Sequence, residues 1–143
     1  MQQVIKVILV GIFLLMEGIR DIRHRQISMI SVAVFAVIGL IIQLVFDFDR
    51  WYEPFGGVVL GVVLLLLAKI TKERIGYGDG WIMFVTGIYL GFRYNLFLLT
   101  MALFLAALVS VGLLICKKVN RHSSIPFVTF LFVGYCVMLT GLI

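Results

Sequence analysis

The sequence predicts an all-α membrane protein, a polytopic bundle of six transmembrane helices with both termini facing outward. Three observations predict it. The 143 residues are 63% hydrophobic and only 13% charged, against roughly 45–50% apolar and about 25% charged in soluble domains. Apolar runs fill the chain at 4–20, 28–46, 55–70, 80–93, 95–116 and 125–143, and a helix crosses a bilayer with about 17–25 such residues. Basic residues cluster in alternate connections, as cytoplasmic loops require. One bundle of this length, 1–143, leaves no room for a second domain.

The run at 4–20 lacks a short basic leader and a small-x-small cleavage site, so it reads as a retained helix. Glycines in the later runs (Gly39, Gly61, Gly87, Gly112, Gly134) allow close helix contact. Gly57 and Gly61, four apart, share one face of the third run. The runs at 55–70 and 80–93 are short for spans. Cys116 and Cys136 belong to no Cys-x-x-Cys pair and read as packing residues.

Orientation follows from charge. Arg20, Arg23 and Arg25 follow the first run, Lys69, Lys72 and Arg74 the third, and Lys117, Lys118 and Arg121 the fifth. These are nine of the twelve basic residues. The other side holds Lys6, Arg50 and Arg93 with Asp47, Asp49 and Glu53. The basic loops belong in the cytoplasm at the plasma (inner) membrane. The net charge of +5 is thereby explained, and nucleic acid is not an expected partner.

Two acidic residues stand out. Asp21 closes the first run and Asp79 opens the fourth, within Gly76-Tyr77-Gly78-Asp79. Charge beside hydrocarbon is costly, so each marks a functional site by default. The predicted topology brings both to the cytoplasmic ends of their helices. Two adjacent carboxylates cannot both ionise cheaply and share a proton, which suits them to activate water on a peptide bond. The dipole at the C-terminus of the first helix favours protonated Asp21, and the N-terminus of the fourth favours the Asp79 anion. That assigns Asp21 as resting acid and Asp79 as resting base. Gly76 and Gly78 let the backbone turn sharply and leave room for a substrate strand.

Other polar groups rank below these. Glu17 precedes Asp21 by four residues on the same helix face, where it lines a water-filled cavity, tunes Asp21 or makes an interhelical contact. His24 reads as a hydrated loop residue, and Trp51, Tyr52 and Trp81 as interfacial anchors. Nothing points to a metal or organic cofactor.

At these residues the chain resembles the prepilin peptidase family of membrane aspartyl proteases. The likeness rests on Arg20-Asp21-Ile22-Arg23-His24-Arg25-Gln26-Ile27-Ser28, on Gly76-Tyr77-Gly78-Asp79-Gly80, and on Ser124-Ile125-Pro126-Phe127-Val128-Thr129-Phe130. It implies Asp21 and Asp79 as the catalytic pair, Gly76 and Gly78 as the motif loop, and Pro126 as a residue closing the site. It also implies cleavage of the basic leader from single-span prepilin-like preproteins, of pilin or archaellin type, at the cytoplasmic face. The paired Cys-x-x-Cys insertion of many long members is missing, so peptidase without methyltransferase activity is expected. Trp81 stands where many relatives carry lysine, and Arg20 rather than tyrosine precedes the first aspartate, unlike presenilin-type proteases. Two other readings compete. One is a small proton-coupled transporter, which would want acidic groups near the bilayer midplane. The other is an inactive membrane assembly factor of a pilus or secretion machinery.

Overall fold

A computed structural model of the chain describes residues 1–46, 52–72, 76–116 and 126–142. Asp47, Asp49, Arg50, Trp51, Arg74, Lys117, Lys118, Arg121, Ser124 and Ile125 lie outside them. The described residues form five helices: α1 (Gln2–His24), α2 (Met29–Phe46), α3 (Tyr52–Ile70), α4 (Tyr77–Ile115) and α5 (Phe127–Leu142). The first four are long and apolar enough to cross a membrane, and α5 is a shorter apolar helix.

The expected fourth and fifth spans are one element, α4, broken at Gly91. There φ is 71° and ψ −179°, a conformation outside the reach of residues with a Cβ. The chain doubles back at this point. Asn95 Nδ2 donates to Met83 O at 2.9 Å, and Thr86 Oγ1 donates to Asn95 Oδ1 at 2.8 Å. In a straight helix a residue twelve positions away lies about 18 Å along the axis. The expected break falls near residue 94; the actual one comes where glycine permits it.

Asn95 also donates to Gly57 O at 3.1 Å, so one buried amide ties both arms of α4 to α3. An unpaired amide in an apolar interior is costly, which fixes the register of all three segments. The α3–α4 interface is the most extensive in the molecule. Gly57 faces Gly87 so closely that a Cβ on either would overlap the other's backbone. Gly61 meets the backbone of Phe84 in the same way. The shared face of Gly57 and Gly61 is therefore a packing seam, as small residues provide between membrane helices.

The first arm of α4 runs through the middle of the bundle. Ile82, Met83, Val85 and Ile88 are buried against Val10, Phe13 and Leu14 of α1 and Leu131 and Tyr135 of α5. Buried polar atoms find partners across helices: Tyr135 Oη donates to Val7 O at 2.7 Å and Tyr89 Oη to Phe35 O at 2.6 Å. The outer faces stay apolar. Val34, Val37, Leu40 and Leu44 of α2 and Phe55, Val59, Val62 and Leu66 of α3 are exposed. A water-soluble surface rarely carries such continuous apolar area. Cys116 and Cys136 are free and exposed, so the expected packing role does not hold for them.

At one end of the bundle, Lys6 is buried in α1 and its Nζ donates to Gln43 Oε1 of α2 at 3.2 Å. A cavity of about 250 Å³ there is also walled by Glu53 and the Gly91 turn. Lys6, Gln43, Glu53 and the Gly91 turn thus lie together at this end. Gly57→Ala is expected to lower stability by about 1–3 kcal/mol, since neither backbone can yield without parting the helices. Gly112→Ala has open space around it and is expected to be neutral or slightly stabilising. Thermal unfolding of both variants in detergent checks this; equal losses would overturn the packing account.

Candidate active site

Three helix ends meet at the opposite pole. They are the last turn of α1, the first turn of α4 and the start of α5. Together with residues 25–29 they enclose a cavity of about 460 Å³. Its walls include Asp21, Arg25, Ile27, Gly76, Tyr77, Gly78, Asp79, Pro126 and Phe127. The two aspartates, Gly76, Gly78 and Pro126 thus come from distant sequence into one concavity.

Asp21 lies three residues before the end of α1, because the helix runs on to His24 beyond the apolar run. Arg25 then takes a left-handed conformation (φ 51°), and its N–H closes the helix on Asp21 O at 3.0 Å. The Asp21 carboxylate reaches across to α5, where Val128 N donates to Oδ2 at 3.1 Å. The first N–H groups of a helix have no partner within it, and a carboxylate is the natural acceptor. Arg25 adds positive charge beside the same carboxylate. The resting-acid assignment for Asp21 considered only the dipole of α1, worth about 0.3–1 kcal/mol. A hydrogen bond to a charged group is worth about 1.5–3 kcal/mol. The α5 amide thus opposes the dipole of α1 at the Asp21 carboxylate.

Asp79 is the third residue of α4, after an N-cap at Gly76. Its N–H donates to Gly76 O at 3.2 Å. Its carboxyl folds back over Gly76, with Oδ2 3.1 Å from where a Cβ would stand. Both aspartates are half-buried. Both line the same cavity.

The motif glycines serve space rather than turning. Gly76 has φ −64° and ψ 129°, open to any residue, and among the described residues the glycine with positive φ is Gly91. Gly78 instead makes room for the side chain of Ile27, which a Cβ would strike. Gly80 is buried against Leu65 of α3 in the same manner.

Glu17 lies behind the cavity wall rather than on it. It is fully buried, and its Oε2 accepts from Ser28 N at 3.1 Å. His24 is exposed. Trp81, expected as an interfacial anchor, is half-buried, packs against the core and meets the Phe84 ring edge-on at 5.9 Å. Among the described residues no three His, Cys, Asp or Glu side chains gather as a metal site. Sequence reasoning missed Val128, Ser28 and Asn95. A main-chain donor leaves no trace in side-chain chemistry, whereas Asn95, alone in an apolar run, carried a readable signal.

No curated protein and no solved structure matches the chain. The family model described as the type IV leader peptidase family does match, over residues 8–111, a stretch that includes Asp21, Gly76, Gly78 and Asp79. With that span and two aspartates facing one cavity, the chain belongs to the type IV leader peptidase family.

Proposed function

We propose that the protein is an intramembrane aspartyl endopeptidase, with Asp21 and Asp79 as its catalytic pair. The observation that carries this reading is their placement on one cavity at three converging helix ends. At rest, Asp21 holds the negative charge, supported by Val128 and Arg25, and Asp79 holds the shared proton. A water between them gives a proton to Asp21 while its oxygen attacks the scissile carbonyl carbon. Asp79 gives its proton to the carbonyl oxygen, forming a neutral tetrahedral diol. The proton on Asp21 then passes to the amide nitrogen, the C–N bond breaks, and a hydroxyl proton returns to Asp79. Proton, water and peptide balance without a metal or organic cofactor.

The substrate is a single-span prepilin-like preprotein, of pilin or archaellin type, with a basic leader cut at the cytoplasmic face. In this reading the arms of α4 count as two of six spans, and both termini face outward at the plasma membrane. The whole chain, 1–143, acts as one peptidase unit. Neither rival is favoured by a specific observation. A transporter would carry its acidic pair at mid-depth, whereas these two sit at helix ends. An inactive assembly factor would not need both aspartates on one cavity.

Asp21→Asn and Asp79→Asn are each expected to lower cleavage of a purified prepilin by at least about a thousandfold while the protein stays folded. Electrophoretic shift of the substrate measures it. If both single variants cut at the wild-type rate, the pair is misassigned even though cleavage is real.

The wild-type rate is expected to follow a bell-shaped pH profile. It falls at low pH as the second carboxyl takes up a proton, and at high pH as the shared proton leaves. A monotonic profile across both limbs would remove the shared proton from the mechanism. For topology, a single cysteine at Gln26, in a chain with Cys116 and Cys136 replaced, is expected to react with an impermeant thiol reagent from the cytoplasmic side of oriented vesicles. Labelling from the opposite side would reverse the orientation.

A further inference from the structure

Glu17 is the acidic group in the interior that the proposed chemistry does not use. Its relative exposure is 0%, in the second-last turn of α1 and one turn beyond the buried Phe13 and Leu14. An apolar side chain would fill that place without burying a carboxyl, so its presence calls for a reason. One oxygen, Oε2, accepts from Ser28 N at 3.1 Å. The other, Oε1, is buried without a hydrogen-bond partner among the described residues. Half-satisfied burial is a poor way to stabilise a bundle.

What Glu17 holds is more informative than what it lacks. Ser28 starts α2: its O accepts from Val32 N at 3.0 Å, and its Oγ accepts from Ser31 N at 3.4 Å. The preceding residue, Ile27, presses its side chain into the place left by the missing Cβ of Gly78. Gly78 is bonded directly to Asp79. A continuous line thus runs from Glu17 through Ser28 and Ile27 to the motif loop, and Glu17 stands one helical turn before Asp21.

We infer that Glu17 is a positioning residue: it anchors the connection between α1 and α2 so that Ile27 sets the Gly78–Asp79 backbone at a fixed distance from Asp21. This rests on the endopeptidase reading for its effect on rate, but the mechanical coupling stands independently of it. Glu17 is fully buried and does not line the cavity. The charged and titratable groups at the site are Asp21 and Arg25 from the α1 end and Tyr77 and Asp79 from α4.

The test compares Glu17→Ala with Glu17→Gln in the full chain. Gln keeps an oxygen to accept from Ser28 N; Ala does not. Glu17→Ala is expected to lower kcat roughly ten- to a hundredfold with KM for prepilin unchanged, because misplacing a catalytic group by an ångström costs that much. Glu17→Gln is expected to stay within about threefold of wild type, the neutral acceptor being weaker but in place. In Glu17→Ala the two limbs of the pH profile should draw together, since carboxylates held farther apart repel less. Hydrogen exchange supplies a readout that needs no cleavage: Glu17→Ala should speed exchange in 26–32 and 76–80 and leave 98–110 unchanged, while Glu17→Gln should change neither. A loss of rate equal at every pH, with faster exchange throughout the bundle, would show a merely structural role and overturn the inference. So would a Glu17→Ala enzyme that cuts normally, or one whose 76–80 segment exchanges as in wild type. If wild type itself cuts no prepilin, the endopeptidase reading fails, and the exchange pattern alone decides the coupling.

Discussion

The hydrogen bond from Val128 to Asp21 is the contact on which the site depends. It joins the end of the first helix to the beginning of the last, across more than a hundred residues of sequence. Both partners need it. A carboxylate at the edge of a membrane wants a donor, and a helix start has donors with nothing to bind. Satisfying one with the other fixes where α5 begins, and Pro126 and Phe127 then close one wall of the cavity. The same contact opposes the dipole of α1 at the Asp21 carboxylate.

The rest of the bundle positions the other aspartate. α4 enters the core at Asp79 and is held along its first arm by close backbone contact with α3 at Gly57 and Gly61. Asn95, returning after the break at Gly91, pins that pair from the far side. Asp79 is therefore carried by a three-segment block, whereas Asp21 is carried by α1 and α5. The two carboxylates are thus carried by different helices, and the α1–α2 connection bridges them through Ile27 and Gly78.

Much of this was legible in the residues. Apolar runs gave the helices because burial in lipid demands length and hydrophobicity, and both can be counted. The two aspartates and the Gly-x-Gly-Asp pattern marked the site because charge near hydrocarbon has few other uses. What was illegible involved main-chain atoms and distances. No composition reveals that residue 128 donates to residue 21, or that α1 continues through polar Arg23 and His24 to bring Asp21 inside a helix. Gly76 and Gly78 suggested a sharp turn, yet the backbone there is ordinary and the need is for space beside Ile27. Glu17 shared a face with Asp21 by spacing alone, but its carboxyl turned away toward Ser28.

The early break in α4 also bears on the lipid around the protein. From 77 to 90 the helix rises only about 21 Å, short of the roughly 30 Å hydrocarbon thickness. An arm this short, enclosed by its neighbours, starts below the headgroups unless the bilayer thins around the bundle. Either response draws polar solvent and the mouth of the cavity toward the hydrocarbon. A peptide bond just outside a transmembrane segment would then meet the aspartates without that segment leaving the bilayer.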